Sequence, residues 1–168
     1  MTILKLGRPA TLPRPFLLFL LFCLGCSSAA QQAVQWRRVV RVVDGDTLLL
    51  DRRERVRLIG IDTPETVDPR RPVERFGKEA SAFTKRMVEG KKVRLEYDQD
   101  RRDRFGRTLA YVYLENGTFL NAEIVKKGYG HAYTRFPFKY LDEFRGYERE
   151  AREAGRGLWK PLSEKERR

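Results

Sequence analysis

The sequence predicts a β-barrel plus helices (α+β), specifically a small five-stranded OB-fold Greek-key barrel carrying three α-helices. Three observations carry this reading. Five short segments rich in apolar and β-branched residues are separated by turn signals, and a helical period intervenes between the third and the fourth. Two further helical periods follow the fifth, in a chain of 168 residues that has room for one hydrophobic core and little more.

The elements follow in order from Trp36. Val39, Val40, Val42 and Val43 lead to Asp44-Gly45, and Thr47 to Leu50 resume beyond it, which reads as strand, hairpin turn and strand. The polar cluster Asp51 to Arg55 gives a second turn before a third strand, Val56 to Ile61. With that turn centred on Glu54, Asp46 is expected directly across from Asp62. Pro64 and Pro69 make the next stretch an irregular charged loop, after which Phe76, Ala80, Phe83 and Met87 recur at helical spacing and Gly90 closes the helix. Lys92 to Tyr97 and Thr108 to Leu114 supply strands four and five. Glu115-Asn116-Gly117 then turns the chain into a helix through Leu120, Ile124 and Val125, ended by Gly128. The last helix spans about Lys139 to Ala154, with Leu158 and Trp159 packing the chain end down.

Ahead of the barrel, Lys5, Arg8 and Arg14 precede an apolar run from Phe16 to Cys23, followed by small residues to Ala30. This predicts a signal peptide over residues 1–30 and a protein that is secreted or held in the cell envelope or periplasm. Cleavage before Cys26 is the alternative, and a lipid on Cys26 would then be the one link to a membrane. The apolar run is shorter than the roughly 20 residues a spanning helix needs. The domain then occupies residues 31–162, and 163–168 form a charged tail. Both cysteines, Cys23 and Cys26, fall in the leader, which excludes an internal disulfide, a thiolate metal site and cysteine-based hydrolysis in the domain.

Lys and Arg number 35 against 23 Asp and Glu, a net charge of +12, and removing Lys5, Arg8 and Arg14 with the leader leaves +9. Polyanionic partners fit this balance, although a solubilising surface would explain charge alone. A single histidine, His131, rules out sites that need two. Asp46 and Asp62, joined by Glu65 on the following loop, are hard oxygen ligands suited to Ca²⁺ or Mg²⁺ rather than zinc. Arg57 and Arg107 could hold the charge that gathers on a phosphodiester transition state. Singly, each of these acids has an ordinary place beside a turn. One tension stands: on a flat strand Arg57 and Asp62 face opposite ways and lie roughly 16 Å apart, so strong curvature or a bulge is required, with Gly60 the natural place.

Four motifs occur in order: Val43-Asp44-Gly45-Asp46-Thr47, Arg57-Leu58-Ile59-Gly60-Ile61-Asp62-Thr63-Pro64-Glu65, Phe76-Gly77-Lys78-Glu79-Ala80-Ser81-Ala82-Phe83-Thr84 and Asp103-Arg104-Phe105-Gly106-Arg107. From about Val39 to Trp159 the chain resembles the staphylococcal nuclease family. The resemblance implies a calcium-dependent, sugar-non-specific nuclease that acts on DNA and RNA, favours single strands and leaves 3′-phosphate ends. It implies one Ca²⁺ held by the carboxylates of Asp46 and Asp62 and the main-chain carbonyl of Thr63, with Glu65 as general base or water-orienting group. It further implies Arg57 and Arg107 as the stabilisers of developing charge, Arg104 and Tyr133 beside the substrate, and a monomer without a stable protein partner. Two departures are visible: Arg104-Phe105 stands where the family has Lys-Tyr, and the stretch from Gly128 to Phe136 is one residue shorter. A catalytically silent nucleic-acid-binding module of the same fold is the rival reading, and a basic envelope-interaction protein a third.

Overall fold

Val39 and Val42 both turn inward in the first strand, β1 (Trp36–Asp44), because the ladder shifts register between Val39 and Arg41, while Arg38 and Arg41 stay exposed; Leu48 and Leu50 continue the core in β2 (Thr47–Leu50). In the computed structural model, which describes residues 34–66, 69–70, 72 and 74–161, there follow β3 (Arg55–Leu58), β4 (Ile61–Asp62), α1 (Gly77–Val88), β5 (Lys92–Glu96), β6 (Thr108–Leu114), α2 (Leu120–Lys126), β7 (His131–Ala132) and α3 (Leu141–Glu153). The predicted leader with Cys26 and the 163–168 tail lie outside the described residues.

Five strands close a barrel in the order β1-β2-β3-β6-β5, with β5 returning to β1. All pairs are antiparallel except β3 with β6, which runs parallel and so needs the long crossover through α1 and β5. The expected five-stranded barrel with three helices is therefore present. Val56, Leu58, Val93, Ala110 and Val112 fill its interior, and Leu120 and Ile124 of α2 with Phe144 of α3 close one end. Among the described residues no helix is long and apolar enough to cross a membrane.

Two local expectations are corrected. The β2–β3 turn centres on Arg52 rather than Glu54: Leu50 donates to the carbonyl of Glu54 (2.8 Å), and Thr47 pairs with Arg57. Asp46 therefore lies opposite Leu58, whose N–H donates to the Asp46 carbonyl (2.9 Å), and not opposite Asp62, which pairs with His131. The third strand also ends at Leu58, because Gly60 adopts φ +77° and sends Ile61–Asp62 out of the barrel to form a separate two-stranded ribbon with β7. Asn121 secures the break: its amide donates to the carbonyls of Ile59 (2.9 Å) and Ala110 (3.3 Å) while its oxygen accepts from Val112 N–H (2.9 Å).

Only glycine suits this break. A Cβ at position 60 would sit 2.5 Å from the Phe138 ring and in a backbone region that L side chains avoid. Gly60→Val is expected to lower unfolding free energy by about 2–4 kcal/mol, adding left-handed strain to overpacking, as read from urea melts.

Candidate active site

The site begins at the β1–β2 turn. A register shift between Val42 and Asp44 ends the regular ladder, and Gly45 lets the turn lie against Thr63, since a Cβ there would meet the Thr63 hydroxyl at 2.7 Å. From α1 the Thr84 hydroxyl donates to the Gly45 carbonyl (2.7 Å), tying helix to turn. Asp46, only 2% exposed, is thereby held with both carboxylate oxygens engaged. Thr47 Oγ1 donates to Oδ1 (3.0 Å), and Thr63 donates to Oδ2 through its N–H (3.0 Å) and its hydroxyl (3.1 Å).

Arg57 bridges the two aspartates. Its Nη1 meets Asp46 Oδ1, while Nη2 donates to Asp62 Oδ1 (2.9 Å) and to the Ile61 carbonyl (3.1 Å). The Gly60 break makes this possible: it folds Asp62 back to within reach of an arginine five residues earlier. Burial opposes the guanidinium charge, but Asp46 and Asp62 outweigh it, and the pKa of Arg57 is raised. Its five N–H donors exceed the bonds it makes, so donors remain for an incoming anion.

Asp44 lies at the base of the same turn. Burial first, opposed by hydrogen bonds from the Thr66 hydroxyl (2.7 Å) and Gly45 N–H (2.8 Å) and reinforced by the charges of Asp46 and Glu65, pushes its carboxyl up to about 6. A folded pKa above the ordinary 3.8 stabilises below about pH 4, and that contribution is lost as pH rises through about 6. Without divalent cations, the melting temperature of wild type relative to Asp44→Asn is therefore expected to fall between pH 4 and 6.5. A flat difference across that range would show that Asp44 titrates normally.

Glu65 lies on the loop after β4. Its N–H donates to Glu74 (3.1 Å), its carbonyl accepts from Glu74 N–H (2.9 Å), and its carboxylate accepts from Thr66 N–H (2.9 Å). On the loop before β6, Asp103 accepts from the N–H groups of Phe105 and Arg107 (both 2.9 Å) and from Arg107 Nε (2.6 Å). Burial pushes the Asp103 carboxyl up, yet these hydrogen bonds win and hold it below its ordinary value. Arg107 is fixed through Nε, which leaves its terminal nitrogens for another anion.

A cleft of about 950 Å³ is lined by Asp44, Asp46, Arg57, Glu65 and Arg107, together with Phe105 and further arginines. Of the residues singled out from sequence, Asp46, Arg57, Glu65 and Arg107 thus share one cleft, and Asp62 and Thr63 adjoin it through Arg57 and Asp46. Arg104 does not line it, but lies over the Phe105 ring, 4.7 Å from its centroid. Tyr133 stands apart, beside the Gly60 break, where its N–H donates to the Gly60 carbonyl (2.9 Å) and its ring tilts against Phe136. Among the described residues no three acidic, histidine or cysteine side chains converge as a ready-made metal cage.

A family model described as "Staphylococcal nuclease homologue" matches residues 55–161. The chain belongs to the staphylococcal nuclease family. A thermonuclease of Staphylococcus hyicus is 43% identical over 139 residues, 80% of either chain. The thermonuclease of Staphylococcus intermedius is 53% identical over 97 residues, covering 56% of this chain and 57% of its own. Endonuclease YncB of Bacillus subtilis is 39% identical over 125 residues, 71% of this chain and 59% of its own.

In this staphylococcal nuclease homologue, three contributors escaped the sequence reading. Asp44 looks like a turn former until its burial is known. Asp103 sits inside a recognisable motif, and its spacing four residues before Arg107 was an available sign. Asn121 gave no sign, because it joins the carbonyl of Ile59, just after β3 and 62 residues earlier, to the backbone of Ala110 and Val112 in β6.

Proposed function

We propose that this nuclease is a calcium-dependent, sugar-non-specific enzyme that hydrolyses phosphodiester bonds of DNA and RNA, favouring single strands and leaving 3′-phosphate ends. The observation that carries the reading is one cleft lined by buried Asp46 with Arg57, Glu65 and Arg107, and a solvent-facing Asp62 joined to Asp46 through Arg57. That combination gives a binding module nothing to gain, since buried acids repel a polyanion.

The donor chemistry fits a hard cation. Asp44, Asp46 and Glu65 lie close enough for the latter two to raise the pKa of the first, an excess of negative charge that a divalent ion would relieve. Asp46 and Asp62 would hold Ca²⁺ together with the Thr63 carbonyl, and a bound ion would polarise a phosphoryl oxygen. Glu65 orients a water or takes its proton as the water attacks phosphorus in line. Arg57 and Arg107 offer their remaining N–H donors to the phosphate oxygens as charge builds, and Arg107 also faces the leaving oxygen. Tyr133 and Arg104 act at the edge of the substrate. We further propose export by the 1–30 leader to the exterior or cell envelope, and action as a monomer.

Incubation of the purified protein with single-stranded DNA and RNA under a Ca²⁺ titration, with EDTA as the opposing arm, tests the reading. Cleavage of both polymers that appears with Ca²⁺ and stops with EDTA is expected. Tight binding without cleavage at any Ca²⁺ concentration would instead establish a silent binding module.

A further inference from the structure

The turn between β2 and β3 is built against local preference. Arg52 and Arg53 occupy successive left-handed positions, φ 57° and 60°, where glycine and asparagine are favoured and other side chains are strained. Strain of this kind persists where the surroundings over-determine it, and here they do. Arg37, 14% exposed, donates through Nε to Asp51 Oδ1 (2.6 Å), through Nη2 to the Asp51 carbonyl (3.0 Å) and through Nη1 to Glu54 Oε2 (2.7 Å). Glu54 also accepts from the Thr108 hydroxyl (2.7 Å) on β6.

The consequence is electrostatic. Both acids of the turn are matched by Arg37, and Glu54 by Thr108 as well, while among the described residues Arg52, Arg53 and Arg55 make no side-chain hydrogen bond or ion pair. Arg55 shares the outward face of β3 with Arg57, because the alternating Val56 and Leu58 fill the barrel. All three arginines line the cleft that holds Asp46, Glu65 and Arg107. The hairpin thus presents three guanidinium groups that, among the described residues, have no ion-pair partner, along a surface continuous with the candidate catalytic residues.

We infer that this turn is an accessory phosphate-binding track, which holds backbone phosphates of a single-stranded nucleic acid on one side of the bond that is cut. The inference rests on the nuclease reading above and extends it to a length preference. Guanidinium groups suit phosphate oxygens, and the turn has no aromatic ring on which to read a base, so the grip is independent of sequence. An enzyme that holds flanking phosphates works within strands rather than on the shortest fragments.

The test uses Arg52→Gly/Arg53→Gly, which removes two charges and relieves the backbone, so the variant is expected to melt no lower than wild type. Its affinity for a thymidylate 20-mer is measured in EDTA between 50 and 300 mM salt, and kcat/KM with Ca²⁺ is measured for the 20-mer and for trithymidylate. Loss of two phosphate contacts should reduce the slope of log K against log salt by about 1.4. It should also lower kcat/KM on the 20-mer about tenfold at low salt and leave trithymidylate unchanged, which would support the track. An unchanged slope and an unchanged 20-mer rate would overturn it, as would equal losses on both substrates, since those would place the arginines at the scissile phosphate. If wild type cleaves neither substrate the nuclease reading fails, and the salt slope still decides whether the turn binds phosphate.

Discussion

Glu65→Gln is expected to lower the rate of phosphodiester cleavage by about 10²–10⁴-fold, the range associated with losing a general base, while leaving the fold intact. The fold should survive because Gln keeps the shape and an amide oxygen that can accept from Thr66 N–H. Relief of the repulsion between Glu65 and Asp44 also works in its favour. A pH–rate profile separates the two roles open to the carboxylate. Proton acceptance predicts that the acidic limb disappears in the variant; orientation alone predicts a lower rate with the same limb. Activity within a few-fold of wild type would remove Glu65 from the mechanism.

Arg57→Ala should damage both rate and stability. Loss of a charge-stabilising donor is worth about 2.7–4 kcal/mol in the transition state, roughly 10²–10³ in kcat. Stability should fall as well, by up to about 3–5 kcal/mol, because Asp46 is left buried without its countercharge. The lower end is expected, since Thr47 and Thr63 still donate to Asp46 and Asp62 is open to water. Arg57→Lys should recover part of the melting temperature and little of the rate, because an ammonium cannot span two carboxylates. Urea melts and single-turnover rates on one preparation measure both, and a variant equal to wild type in stability would mean that the Arg57 bridge is not formed in solution.

The barrel was legible in the sequence because the strands alternate or run apolar over short segments and the turns are marked by Asp-Gly, proline and glycine. The site was legible as a set of residues but not as a geometry. Asp46 and Asp62 were paired by assuming one hairpin register, and a turn centred on Arg52 moved that register, since nothing in Asp51-Arg52-Arg53-Glu54 announces two left-handed arginines. What brings the aspartates together is instead Arg57, reached by way of Gly60. The need for a bend at Gly60 followed from the opposed faces of Arg57 and Asp62. The ribbon of β4 with β7 did not, because two-residue strands carry no period.

The parallel seam between β3 and β6 has a further consequence. Arg57 stands on one side of that seam and Arg107 at the threshold of the other, so a chain that has formed its first meander but not yet brought β6 home possesses half a cleft. Non-local pairing of this kind forms late and cooperatively. Hydrolysis should then serve as an all-or-none report of the completed barrel, with no partial enzyme on the way. For the protein from residue 31 onward, which has no cysteine, its return after dilution from urea should depend on chain folding alone and be indifferent to thiol reagents.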